Sequence, residues 1–263
     1  MNIEKLFEKE LRAYFTSHRG ISADKLDDVT QKLYEKWSDT PCAELGGKTP
    51  RQYVESIDDV KTLVSLALES VRGGGEPAPL YVERISRMPH ASIELKEILL
   101  SSEKESVRIV ASELLDRIGD TPVSDYVEIV FDPDTPTDLR ETLISRLEGE
   151  DGLAEILIPR ISETEGGAKF ILAELLARSG EVDERIYELL IGLLDEKGAV
   201  AYVSQLLSAY GDPRAIEKLS MIAETCDYAD YIDIRNAVEA LGGELALRLS
   251  WDNDASYKKI KGE

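Results

Sequence analysis

Apolar residues recur along most of this chain at the three- and four-residue spacing of amphipathic helices, and from about residue 78 onward that pattern also repeats. ASELLDRIGD (111–120), LAELLARSGE (172–181) and VSQLLSAYGD (203–212) share one layout, a helix ending at a glycine that an acid follows. Taking that glycine as a ruler gives Gly119, Gly149, Gly180, Gly211 and Gly242, with gaps of 30, 31, 31 and 31 residues. Five positions before it stand Leu114, Ile144, Leu175, Leu206 and Ala237. Four before stand Leu115, Ser145, Leu176, Leu207 and Val238, and eight before stand Ala111, Glu141, Leu172, Val203 and Ile234. Offsets of four, five and eight share one helical face, the stripe such a helix buries. The unit ending at Gly149 breaks the pattern with Glu141 and Ser145.

Glycine suits the position because a residue just past a helix end often adopts a left-handed conformation, where a Cβ is penalised. The acids that follow (Asp120, Glu150, Glu181, Asp212) suit the free amides and positive end of the next helix. Each period also holds a second apolar helix: VSDYVEIV, LAEILIPRI, ERIYELLIGLL and AIEKLSMIAE. A hairpin of this size cannot bury its apolar face alone, whereas stacked copies share a continuous core. The expected fold is therefore all-α, a superhelix of roughly 31-residue helical hairpins.

Val107-Arg108 with Ala111, Leu114, Leu115 and Ile118-Gly119-Asp120, and then Gly211-Asp212-Pro213-Arg214-Ala215-Ile216, make residues 78–244 resemble the HEAT-like (armadillo-type) repeat family. The resemblance implies an α-solenoid whose second helices line a concave inner surface. Six positions before the ruler glycine stand Glu113, Leu143, Glu174, Gln205 and Asn236, and three before stand Asp116, Arg146, Ala177, Ser208 and Glu239. Their polar members, Glu113, Asp116, Glu174, Gln205, Asn236 and Glu239, are the candidate partner-binding residues. The competing reading has them edge the core and hydrogen-bond between units. The family also includes phycobilin lyases and alkylpurine DNA glycosylases, so an enzyme or enzyme subunit is the alternative function that the resemblance allows.

Upstream, residues 3–18 and 22–37 predict a helical pair with Arg19-Gly20 between them, and residues 57–72 a further helix. In WSDTPCAELGGKTPRQYVES (37–56), Thr49 caps and Pro50 opens another helix. Trp37, Thr40-Pro41 and Leu45-Gly46-Gly47-Lys48-Thr49-Pro50 resemble a segment of several bacterial helical proteins, among them the toxin-binding region of some antitoxins; so short a match carries no partner with it. Gly73-Gly74-Gly75-Glu76-Pro77-Ala78-Pro79 suggests a boundary between an N-terminal helical region, 1–73, and the repeat domain, 74–263. WDNDASYKKIKGE, at 251–263, either caps the last core layer or trails into solvent.

Charge narrows the partners. The chain of 263 residues has net charge -21, of which residues 73–263 carry 39 acidic against 20 basic side chains. Such a field repels phosphate backbones, no basic patch offsets it, and no run of apolar residues is long enough for a membrane helix. A protein partner is expected rather than nucleic acid or membrane, with self-association as a further mode, in the cytoplasm. Cys42 and Cys226 read as reduced thiols, and His18 and His90 lack the company a zinc site needs. Gly46-Gly47-Lys48-Thr49 ends like a P-loop, but Cys42 stands where its first glycine belongs. Asp132, Asp134 and Asp138 lack the central glycine and distal glutamate of a calcium loop. No cofactor set emerges, and the expectation is a non-enzymatic interaction module or scaffold.

Overall fold

The computed structural model describes residues 2–18, 22–245, 251 and 254–261; Arg19-Gly20, the expected break between the first two helices, lies outside them. Sixteen α-helices and no strand occur among the described residues. In chain order they are α1 (Ile3–Ser17), α2 (Leu26–Ser38), α3 (Pro50–Glu55), α4 (Val60–Arg72), α5 (Pro79–Ile85), α6 (Ala91–Leu99), α7 (Glu105–Ile118) and α8 (Val123–Phe131). Then come α9 (Thr137–Leu147), α10 (Leu153–Leu157), α11 (Ala168–Ala177), α12 (Glu184–Leu193), α13 (Val200–Tyr210), α14 (Ala215–Ala223), α15 (Tyr228–Ala240) and α16 (Ala255–Lys261). They form two compact units, Met1–Asp125 with Asp134–Thr142, and Tyr126–Pro133 with Leu143–Glu263.

In the first unit α1 packs on α2, α3 on α5, and α4 on α5, α6 and α7. Leu63, Leu68, Tyr81, Ile85, Leu95 and Leu115 are fully buried there. Thr49 Oγ1 accepts from the Gln52 amide while the Gln52 side chain accepts from the Thr49 amide, with Pro50 in the first turn, so the glycine-lysine-threonine run is a capped helix start. Gly73–Pro79 is a turn inside this unit, tied by Ser70 Oγ donating to the Glu76 carbonyl (2.6 Å) and the Ala78 amide donating to Glu4 Oε1 (2.7 Å).

In the second unit α11 packs on α12 and α13, α13 on α15, and α14 on α15, so the second helices of successive hairpins lie side by side in chain order. Leu172, Leu175, Leu176, Val203, Leu206, Leu207, Ile234, Ala237 and Val238 are all buried, as their columns predict. The irregular unit has a physical cause. Helix α9 buries Leu139, Leu143 and Leu147, which stand ten, six and two before Gly149 and so two positions from the columns at eight and four, and this turns Glu141 and Ser145 to solvent. Trp251 packs its ring 5.2 Å from Tyr228 and 5.0 Å from Tyr231, and α16 packs on α15, so of the two readings of the C-terminal segment the cap holds.

All five ruler glycines are left-handed, with φ between 77° and 86°. The acids after them behave less uniformly. Asp212 Oδ1 accepts from the Arg214 amide (2.9 Å), but Asp183 rather than Glu181 caps α12, and Asp120 is held by Lys96 Nζ at 3.3 Å. Gly211, at φ 79°, closes α13, its amide donating to the Leu207 carbonyl (3.0 Å); Gly192 lies within α12 at ordinary helical φ, with open space where a Cβ would stand. Gly211→Ala is expected to cost about 1–2 kcal/mol through left-handed strain, and Gly192→Ala to gain up to about 1 kcal/mol. Urea midpoints for the two variants should therefore move in opposite directions.

Candidate partner-binding surface

The six candidate residues fall on the second helices of their hairpins. Glu113 and Asp116 are on α7 in the first unit, exposed and half-buried respectively; Asp116 Oδ1 accepts from Thr121 Oγ1 (3.4 Å). In the second unit Glu174 is half-buried on α11, Gln205 exposed on α13, and Asn236 and Glu239 exposed on α15. Helix amphipathicity places them: the columns at offsets four, five and eight face the core, and the residues at six and three edge it. Leu143 and Ala177, which share these columns, are buried, so the polar column is interrupted in the α9 unit and at the end of α11.

In the second unit Glu174 and Gln205 each bridge to the second helix of the following hairpin, and both do so over the same interval. Tyr202 Oη donates to Glu174 Oε2 (2.8 Å) and Gln205 Nε2 donates to Asp233 Oδ1 (3.4 Å), each link spanning 28 residues. A constant interval is what regularly stepped hairpins produce, since equivalent side chains meet equivalent neighbours. Arg178 extends the row, with Nη1 donating to Glu148 Oε1 (2.6 Å) and Nη2 lying 3.4 Å from Glu174 Oε1. The Phe170 ring stands 6.2 Å from that of Tyr202. Burial and then the Glu174 carboxylate raise the pKa of the Tyr202 hydroxyl well above its usual value, so it remains a proton donor at neutral pH. Glu239 pairs with Arg235 within α15 (3.4 Å).

The aromatic and acidic partners in this row, Phe170, Tyr202 and Asp233, were not singled out in the sequence, because a column read against one ruler selects residues within a repeat. Tyr202 and Asp233 stand 28 residues after Glu174 and Gln205, three short of the period; they share the column nine before the ruler glycine, but nothing within one repeat shows that this column meets the one at six in the repeat before. The second unit has 26 acidic and 13 basic residues, net -13. The net field of this unit is therefore negative.

Cys42 and His18 make local contacts. Cys42 Sγ donates to Glu44 Oε2 (3.2 Å), burial and that carboxylate push its thiol pKa upward, and Glu44 itself is held at about 2, chiefly by Lys9. His18 closes α1, its ring stacked 4.2 Å from Tyr14. Among the described residues no three histidine, cysteine or acidic side chains gather as a metal site, and no helix is long and apolar enough to cross a membrane. Comparison with protein-family models, with curated proteins and with solved structures finds no match to this chain.

Proposed function

We propose that this chain is an α-solenoid of HEAT-like hairpins acting as a non-enzymatic interaction module in the cytoplasm, and that its second-helix face receives a protein with basic or polar surface groups. The 28-residue link made once between α11 and α13 and again between α13 and α15 supports this reading most directly. Regular stepping displays side chains from successive helices along one row, the arrangement that repeat proteins use to hold extended partners. Within the row Gln205, Asn236 and Glu239 are exposed, and the half-buried Phe170 and Tyr202 add aromatic surface of the kind that anchors interfaces. A net charge of -13 on this unit adds attraction toward cationic patches, which acts on association rate more than on lifetime.

The test is affinity capture from the native host on the immobilised full chain, with Gln205→Lys/Asn236→Lys/Glu239→Lys in parallel. A defined protein retained by the wild type is expected to lose about tenfold or more in affinity with the triple variant, whose thermal melt stays unchanged, and to bind more weakly as salt rises. Equal retention by both chains would remove this face from consideration.

A further inference from the structure

The hairpin α1–α2 is built from two amphipathic helices, yet it buries little of either. In α1 only Ile3 is buried, and in α2 only Trp37 and Ser38, its last two residues, whereas α4, of the same length as α2, buries five. Leu11, Tyr14, Phe15, Val29 and Leu33 stay half-exposed and Leu26 is exposed, although their spacing is that of a core stripe. Phe7 closes the seam at one end, its ring 4.9 Å from Tyr34 and 5.1 Å from Trp37. Beyond that cluster a groove of about 840 Å³ opens where the two helices meet the loop at residues 40–44, with Tyr14 of α1, His18 just past its end, and Val29, Leu33 and Trp37 of α2 along its walls. A helical pair with this much apolar seam uncovered has room for further helices.

Charge says what fits there. Residues 1–48 hold nine acidic and eight basic side chains, and residues 49–263 hold 43 and 23, so nearly the whole net charge of -21 lies outside the hairpin. At physiological salt, charges more than about 8 Å apart are screened, so the local balance at a contact decides whether two copies repel. The hairpin is a place where this acidic chain can meet itself without a like-charge penalty. The groove rim is also self-complementary: Glu10 stands on the α1 side and Lys36 on the α2 side, both exposed and neither in an ion pair with a described residue. A two-fold pairing that lays α1 of one copy along α2 of the other brings Glu10 of each copy to Lys36 of the other and closes both grooves at once.

We infer that the α1–α2 hairpin is a homodimer interface, forming a four-helix bundle from two copies of the chain. The inference is independent of the second-helix face and of any partner bound there. Sedimentation equilibrium of the full chain over ~1–200 µM should show a concentration-dependent dimer. Leu33→Lys, which sets a charge in the groove at a half-exposed position, is expected to weaken the dimer at least tenfold. Lys36→Glu, which alters only an exposed side chain, should weaken it about tenfold, and Glu10→Lys/Lys36→Glu together should restore it. Circular dichroism melts within a degree or two of wild type establish that each variant is folded. A wild-type chain that is monomeric throughout, a dimer unmoved by Leu33→Lys and Lys36→Glu, or failure of the charge swap to recover association would each overturn the inference.

Discussion

Leu207→Ala is expected to destabilise the second unit by about 2–5 kcal/mol. Leu207 is fully buried on α13, and α13 packs on α11, α12 and α15, so the side chain lies in the core of the helix that joins its own hairpin to both neighbours. Its removal loses the transfer free energy of the missing methyl groups and leaves a cavity that three helices cannot jointly close. Where each hairpin depends on the next for burial, a defect in a middle helix weakens two interfaces, whereas the same defect in a terminal hairpin weakens one. Urea denaturation followed by helical circular dichroism measures the effect. A loss below about 1 kcal/mol would mean that Leu207 is not the shared core residue its position implies. By contrast, breaking the half-exposed Arg178–Glu148 pair should cost less than about 1 kcal/mol, because solvent screens it.

Trp37→Ala is expected to cost about 3–5 kcal/mol, localised to the first unit. Trp37 is 8% exposed at the end of α2, and its ring lies 5.1 Å from Phe7 and 5.7 Å from Tyr34. Tyr34 in turn accepts from the Leu80 amide (3.4 Å), and burial pushes its hydroxyl pKa up to about 12, so the cluster ties the α1–α2 hairpin to the start of α5. Because α2 buries nothing but its last two residues, losing the indole removes most of what anchors that helix. Hydrogen exchange should show α1 and α2 opening first, while the amides of α11, α13 and α15 keep their protection. Uniform loss of protection along the chain would show that the hairpin is not held by this cluster. An effect of this size is a large share of the 5–15 kcal/mol that stabilises an ordinary domain.

The positions of the helices were legible in the residues because helix formation is local. The ruler glycines stop helices because only glycine takes the left-handed conformation without a Cβ penalty, Thr49-Pro50 starts one because hydroxyl and ring suit a first turn, and the offset of three and four sets the buried face. The buried columns from Ala111 to Val238 follow from that periodicity alone. Even the exception at Glu141 and Ser145 could be seen, although its cause could not. The rotation of α9 that buries Leu139, Leu143 and Leu147 depends on what packs beside it. For the same reason Tyr202 and Asp233 were missed as companions of Glu174 and Gln205, and Asp183 as the cap of α12. Side chains from different repeats meet at distances set by how hairpins step past one another, and a single period does not contain that step. Likewise, the apolar spacing of α1 and α2 announces a buried stripe, and only the folded chain shows that most of it is left uncovered. Sequence determined where this chain forms helices and which face of each is apolar, since both depend on neighbours within a turn or two; tertiary packing decided which faces find one another and which remain open, since burial is a property of surfaces brought together from far apart.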